Sequence, residues 1–290
     1  MDRLQAERMF VKVVETGSFA AAARRLGTSS GQASKLVARL EADLGVKLLN
    51  RTTRALALTE AGQAYADRMR AILESFDDLT TEVQNAATAP RGRIRLTAPL
   101  SFGTVRLAPV LARFAREYPE ISLEVQFTDR IVNLVEEGFD AAVRVGRTMD
   151  STLVGRKLGT ACMVTVAAPG YLALRGRPLI PADLAAHDCI LDTNNREPNI
   201  WLYRHDTRAQ VSGRLIFSNA SACLAAAEEG LGIAYLPDFV AQDQLAQGRV
   251  IEVLADWSEV SLGIHALWPG RRHLPRKLRV LVDFMAAELR

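Results

Sequence analysis

Apolar residues recur at helical spacing over residues 4–15, at Ala6, Met9, Phe10, Val13 and Val14. Gly17 ends that helix, and Ser18 is placed to cap the next. Residues 19–26 are alanine-rich and predict a short helix that packs closely, closed by Gly27. A third helix is expected from a cap at Thr28 or Ser29 to about Leu44, where Gly45 stops it. Ala33, Leu36, Val37 and Leu40 make its apolar face; Ser30, Gln32, Ser34, Lys35 and Arg39 make the other. Residues 46–58 run from Val-Lys-Leu-Leu through a polar tip at 50–54 to Ala-Leu-Ala-Leu, the pattern of a short hairpin. Helix, turn, helix and hairpin in this order predict a winged helix-turn-helix over 1–59.

Thr59 reads as the cap of a long helix reaching about Ala87. Tyr65, Met69, Ile72, Phe76, Leu79 and Val83 follow one another at alternating spacings of four and three, a heptad seam. At 1.5 Å per residue such a helix is roughly 40 Å long. Its one-sided stripe needs a partner, and a second copy of the chain explains length and spacing better than packing on the chain's own body. Residues 60–90 are therefore expected to be a linker and dimerisation helix, making a homodimer or, as a dimer of dimers, a homotetramer.

After Pro90-Arg-Gly92 the texture changes. Strand 94–98, helix 104–117, strand 121–127, helix 131–137 and strand 141–145 alternate, which predicts an α/β sheet with parallel strands. A second set follows. It has strand 163–168, a helix near 181–186, strands 190–191 and 215–217, helix 220–229, strand 233–236 and helix 238–246. Strand 262–267 and an amphipathic helix over 276–289 close the chain.

Charge sharpens the division. Residues 1–60 hold ten basic and six acidic side chains, a balance of +4. The remaining 230 residues hold 26 and 27, a balance of −1, so the excess positive charge of the chain lies in the helix-turn-helix. A basic module on a nearly neutral body points to double-stranded DNA as the partner of the first part. Three scattered cysteines, Cys162, Cys189 and Cys223, suggest neither a disulfide framework nor a metal site. The first residues carry charges, and no apolar run is long enough for a membrane, so a cytoplasmic protein without membrane contact is expected.

The catalytic signals are weak. His187, His205, His265 and His273 have no metal spacing, and the cysteines form no CxxC. His187-Asp188-Cys189 are neighbours in sequence and point apart on a strand. No phosphate-binding glycine motif occurs, and Gly230-Leu231-Gly232 turns from helix to strand, the reverse of a nucleotide fingerprint. No catalytic residue, metal or cofactor is expected. A solute-binding module whose N-terminal helices only dimerise is the other reading, and the basic helix face speaks against it.

The crevice of an open α/β sheet lies past the carboxyl ends of its strands. Thr97-Ala-Pro-Leu100-Ser101-Phe102 follows the first strand and leads into a helix, whose free N–H groups and Ser101 hydroxyl would suit an anion. Thr128 follows the second strand, and Ser218-Asn219 precede helix 220–229 in the second set, mirroring Ser101.

Together these features resemble the LysR-type transcriptional regulators, and the resemblance covers the whole chain. It rests on the winged helix with Leu40-Glu41 and Leu44-Gly45, the Asn50-Arg51 wing tip, and Leu58-Thr59-Glu60-Ala61-Gly62. It continues through Ala98-Pro99, Phe114 to Tyr118-Pro119, Asp140-Ala-Ala-Val-Arg144, Ala168-Pro169-Gly-Tyr171 and Gly230-Leu-Gly-Ile-Ala-Tyr-Leu-Pro237.

The resemblance implies a regulator that binds DNA and responds to a small-molecule effector. Residues 91–290 would be the effector domain, folded like a periplasmic binding protein. Its first subdomain would be 91–161 with 267–290, and its second 162–266. Base contacts would come from Ser30, Gly31, Ser34 and Lys35, with Arg39 on the same face. The family often carries Gln-Pro where this chain has Ser30-Gly31, so Gln32 is expected to take over adenine reading. Arg51, Thr52 and Arg54 at the wing suit phosphate or minor-groove contact. The effector, expected to be anionic, would meet Leu100, Ser101, Phe102, Thr128, Ser218 and Asn219, with Thr193 and Asn194 on the facing wall.

Overall fold

Serine caps and left-handed glycines punctuate the N-terminal helices. In the computed structural model α1 spans Arg3–Thr16, α2 Phe19–Arg25 and α3 Ser30–Leu44. The described residues are 3–51, 56–84, 89–146, 153–258, 261–270 and 274–289. Ser18 Oγ accepts from Ala21 N at the start of α2, and Ser29 Oγ from Gln32 N at the start of α3. Gly17, Gly27 and Gly45 take positive φ (64°, 65° and 69°), which glycine adopts without a steric penalty. Strands β1 (Leu49–Arg51) and β2 (Leu56–Leu58) pair antiparallel as the wing, with Asn50 opposite Ala57. Phe10, Val37, Leu40 and Leu48 fill the core between these helices and the wing.

The wing is fastened at its base. Glu41, 3% exposed, accepts hydrogen bonds from Leu48 N (2.9 Å) and Leu49 N (3.1 Å) and from Lys47 Nζ (3.1 Å). Burial alone would raise its pKa; the donors from Leu49, Lys47 and Leu48 outweigh that and hold it below the usual carboxylate range. Thr59 N and Thr59 Oγ1 both donate to Leu48 O, and Thr59 Oγ1 caps α4 (Glu60–Gln84) by accepting from Gly62 N at 2.9 Å. Gly62 lies so close to Leu48 that a Cβ there would stand 2.0 Å from its carbonyl oxygen.

The stripe along α4 is divided between two environments. Tyr65 and Met69 pack on the winged-helix core beside buried Ala66 and Leu73, and Tyr65 donates to Glu7 Oε1 at 2.8 Å. Both are half-buried, so part of the expected seam packs on the chain's own core. Ile72 and Phe76 are 58% and 46% exposed. The side chains of Leu79 and Val83 lie outside those described. Arg8 of α1 holds α4 at Asp77 and lies over the Phe76 ring at 5.9 Å.

Residues 1–88 and 89–290 are separate compact units. The second opens with β3 (Gly92–Ala98), α5 (Leu100–Phe102), a single π-helical stretch Gly103–Leu107 and α6 (Ala108–Glu117). Then come β4 (Ile121–Phe127), β5 (Ala141–Val145) and β6 (Leu153–Ala167), followed by α7 (Pro169–Arg175) and a 3-10 turn Pro181–Ala186. Next are β7 (Cys189–Asp192), β8 (Ile200–Leu202), β9 (Arg208–Gln210), β10 (Leu215–Phe217), α8 (Ala220–Glu228) and β11 (Ile233–Pro237). The chain closes with α9 (Asp238–Ala246), β12 (Ile251–Val253), β13 (Ser261–Pro269) and α10 (Arg276–Glu288).

Two lobes share the long strand β6. In the first, β3 runs parallel to β4 and β5, β13 lies antiparallel to β5, and the first part of β6 pairs with β13. In the second, β10, β7 and β11 are parallel, and the end of β6 is antiparallel to β11 and β12. The return crossing precedes β13. Residues 264–266, expected in the second subdomain, pair with β5 and belong to the first. Residues 131–137, expected as a helix, are an irregular stretch followed by a turn over 134–138, because Asn133 Oδ1 accepts from Val135 N and Glu136 N and so competes with a helical ladder.

Candidate functional site

In the first unit the N-terminal part of α3 is open. Ser30, Gly31, Lys35 and Arg39 are exposed, and Gln32 and Ser34 are half-buried at the edge of the same face. The opposite face, Ala33, Leu36, Val37 and Leu40, anchors the helix in the core. Such a helix has a rigid base and a polar, basic outer surface, the shape a major groove admits. Arg24 and Arg25 add charge at the last turn of α2. Arg51 ends β1; its side chain, with Thr52 and Arg54, lies outside the described residues.

In the second unit, β3, β4 and β5 of the first lobe and β7 and β10 of the second each lead into polar residues. Ser101 and Asn219 meet there. Asn219 Nδ2 donates to Ser101 Oγ (3.0 Å) and to Asp129 Oδ2 (3.3 Å), while its Oδ1 accepts from Ser221 N and Ala222 N and so caps α8. All four hydrogen-bonding positions of the amide are thereby used. Ser221 also donates to Ser101 Oγ at 3.0 Å. Ser101 accepts twice, which leaves its own O–H proton for another acceptor.

The helix ends themselves are not free for an anion. Leu100 N donates to Asp129 Oδ1 at 2.9 Å, so a carboxylate of the chain already sits at that terminus, and Asn219 fills the other.

Arg144 stands outside these hydrogen bonds. It lies half-buried at the carboxyl end of β5, beside Asp129, and among the described residues it has no hydrogen bond or ion pair. Burial works against its charge and lowers its pKa; Asp129 opposes that shift. From the second lobe Asp192, 6% exposed at the end of β7, accepts from Asn194 N through Oδ1. Burial raises its pKa, the Asn194 donor lowers it, and the charge of Asp129 raises it further.

The other expected effector residues have structural partners. Phe102, 1% exposed, is a core residue set edge-on to Phe239 at 5.4 Å and is not a cleft wall. Thr128 Oγ1 accepts from Arg130 N in a turn. Thr193 Oγ1 donates to Phe217 O, and Asn194 Nδ2 donates to Ser218 O at 2.8 Å, which ties the end of β7 to that of β10. Asp129, Arg144, Asp192 and Ser221 are not among the effector residues expected from the sequence, where Arg144 enters only within the Asp140-Ala-Ala-Val-Arg144 motif; the first three stand at or just past strand ends, as Thr128 and Asn219 do. His187 and Cys189 do not act together: Tyr171 Oη meets His187 Nδ1 at 3.2 Å, whereas buried Cys189 donates to Leu184 O and its thiol is pushed up to about 12 by burial.

A winged helix in one unit and a two-lobed, charge-bearing cleft in the other define an effector-responsive DNA-binding regulator. Residues 4–63 match the bacterial regulatory helix-turn-helix protein model of the lysR family, and residues 87–290 the LysR substrate binding domain. An uncharacterized HTH-type transcriptional regulator of Haemophilus influenzae is 37% identical over 281 residues, covering 96% of this chain and 98% of that one. The HTH-type transcriptional regulator PtxR of Pseudomonas aeruginosa is 36% identical over 283 residues, covering 97% and 91%. The solved structure of CrgA, a LysR-type transcriptional regulator from Neisseria meningitidis, is similar at a TM-score of 0.64 and 33% identity over 98% of each chain. The chain belongs to the LysR family of transcriptional regulators. Proteins of this family bind DNA and small-molecule effectors, form oligomers, and are regulators rather than enzymes. No helix among the described residues is long and apolar enough to cross a membrane.

Proposed function

We propose that this regulator works in the cytoplasm, reads its operator with α3 and couples that reading to a small acidic effector held between the lobes of 91–290. Residues 1–59 bind DNA, 60–90 join two copies, and 91–290 sense the effector. The observation that carries the reading is the exposed N-terminal face of α3, with Ser30, Gly31, Lys35 and Arg39 outward on a helix capped by Ser29. Ser34 and Gln32 border that face and complete the base-reading set; Arg51, Thr52 and Arg54 steady the wing on the backbone. Ile72 and Phe76 mark the part of α4 open to a second copy, and Leu79 and Val83 continue it in the heptad. The effector's acid faces Arg144 and the Ser101 hydroxyl. It acts by favouring one lobe arrangement over another, which requires unequal affinity for the two states.

The test is a gel-shift titration on an operator found by genomic footprinting. Ser34→Ala with Lys35→Ala should weaken specific binding by about 1–3 kcal/mol for each base that a side chain no longer reads, with an unchanged melting profile. Binding should also fall steeply with salt as counterions are released. Unaltered operator affinity in the double variant overturns the assignment.

A further inference from the structure

The cleft carries charge of both signs, and the protein does not neutralise it. Arg144 of the first lobe has no hydrogen bond or ion pair among the described residues. Its nearest opposite charge, Asp129, is committed to Leu100 N and Asn219 Nδ2. Asp192 of the second lobe is 6% exposed, and its Oδ1 is held by Asn194 N. Its Oδ2 has no partner among the described residues. Asp129, hydrogen-bonded to Asn219 of the second lobe, thus stands within electrostatic reach of both Arg144 and Asp192. Hydrogen bonds fix their neighbourhood: Asn219 joins Asp129 and Ser101, and Asn194 ties the Asp192 strand end to Ser218, the residue before Asn219.

A buried charge is tolerated when it is paired and hydrogen-bonded. A simple anion would satisfy Arg144, bring a third negative charge beside Asp129 and Asp192, and leave Asp192 unpaired. A simple cation would satisfy the carboxylates and leave Arg144 unpaired. One ligand type closes the set.

We infer that the effector is amphoteric, with its acid group on Arg144 and the Ser101 hydroxyl and a protonated amine on Asp192 and Asp129. Resting on the proposed effector reading, this names the chemical class of the ligand. Because Arg144 and Asp192 belong to different lobes, such a molecule spans the cleft and holds together the lobes that Asn219 and Ser221 already join, whereas a ligand with one charge engages one lobe. The two required groups thus make the closure itself selective.

The experiment uses the full chain in a thermal-shift screen followed by calorimetry. The probes are the proteinogenic amino acids and, for each, the deaminated acid and the decarboxylated amine. At least one amino acid should raise Tm, and its deaminated and decarboxylated counterparts should bind at least tenfold more weakly. Asp192→Asn should lose the preference for the amino acid over the deaminated acid, and Arg144→Met the preference over the amine. Arg144→Lys keeps the charge and should retain acid recognition, which serves if Arg144→Met does not fold. A deaminated acid that binds as tightly as its amino acid, to wild type and Asp192→Asn alike, overturns the inference and leaves the acidic-effector reading standing. If no amino compound shifts Tm the inference also falls, and operator binding by the same preparation judges the regulator reading separately.

Discussion

The same substitution, glycine to alanine, should have opposite effects at two helical positions of the DNA-binding unit. Gly31 in α3 has open space where a Cβ would go, and its φ is not left-handed. Alanine there gains helix propensity and should stabilise the unit by up to about 1 kcal/mol. Gly62 in α4 gains the same propensity, but its Cβ would stand 2.0 Å from Leu48 O, 2.9 Å from Leu48 C and 3.1 Å from Thr59 Oγ1. Leu48 cannot yield freely, because its N–H is held by Glu41 and its carbonyl by Thr59. Overpacking against backbone costs about 1–3 kcal/mol, and displacing the Thr59 hydrogen bond adds about 0.5–1.5. Less the propensity gain, Gly62→Ala should destabilise the unit by about 1–3 kcal/mol. For a domain of this size that lowers Tm by roughly 4–8 °C per kcal/mol. The assay separates the units, because Trp201, Trp257 and Trp268 all lie in 89–290. Far-UV ellipticity reports both units and tryptophan fluorescence only the second. Gly62→Ala should move the ellipticity transition down while fluorescence stays put, and Gly31→Ala should move it up. Two shifts of the same sign, or none at Gly62, refute the close-approach reasoning.

The depressed pKa of Glu41 means that its ionised form stabilises the fold. That contribution is present above the ordinary carboxylate pKa and is lost as pH falls through the lower folded value. Glu41→Gln should therefore cost about 1–2 kcal/mol at pH 7, from weakened charge-assisted hydrogen bonds, and the gap should close toward acid in CD-monitored urea unfolding; a pH-independent gap contradicts the linkage. Ile72→Glu with Phe76→Glu should halve the mass seen by sedimentation at micromolar concentration without unfolding the chain, since both side chains are exposed; a retained wild-type mass rules out this seam. Asn219→Ala removes the α8 cap, worth about 1 kcal/mol, together with its two bonds to the first lobe. The fluorescence transition should move to lower urea, and an unmoved midpoint excludes the capping role.

Much of the N-terminal unit can be read from sequence because its signals are local. Ser18 and Ser29 act on amides three residues away, and Gly17, Gly27 and Gly45 set the turns through their own φ angles. The apolar face of α3 follows from its 3.6-residue period alone. Strand alternation likewise reveals the α/β character of 91–290. Partners distant in sequence decided the rest. Tyr65, Met69, Ile72 and Phe76 are one stripe in sequence, and only the placement of α1 against α4 turns the first two inward. The helix end at Leu100 invites an anion until Asp129 folds onto it from beyond β4. Phe102 looks like a cleft residue until Phe239 packs against it from the other lobe. Arg144 and Asp192 carry no local signal of a site, because what marks them is hydrogen-bonding capacity left unused among the described residues, and partners are assigned only once two lobes meet. Periodicity and capping are properties of a few adjacent residues, whereas burial and charge pairing belong to the assembled core.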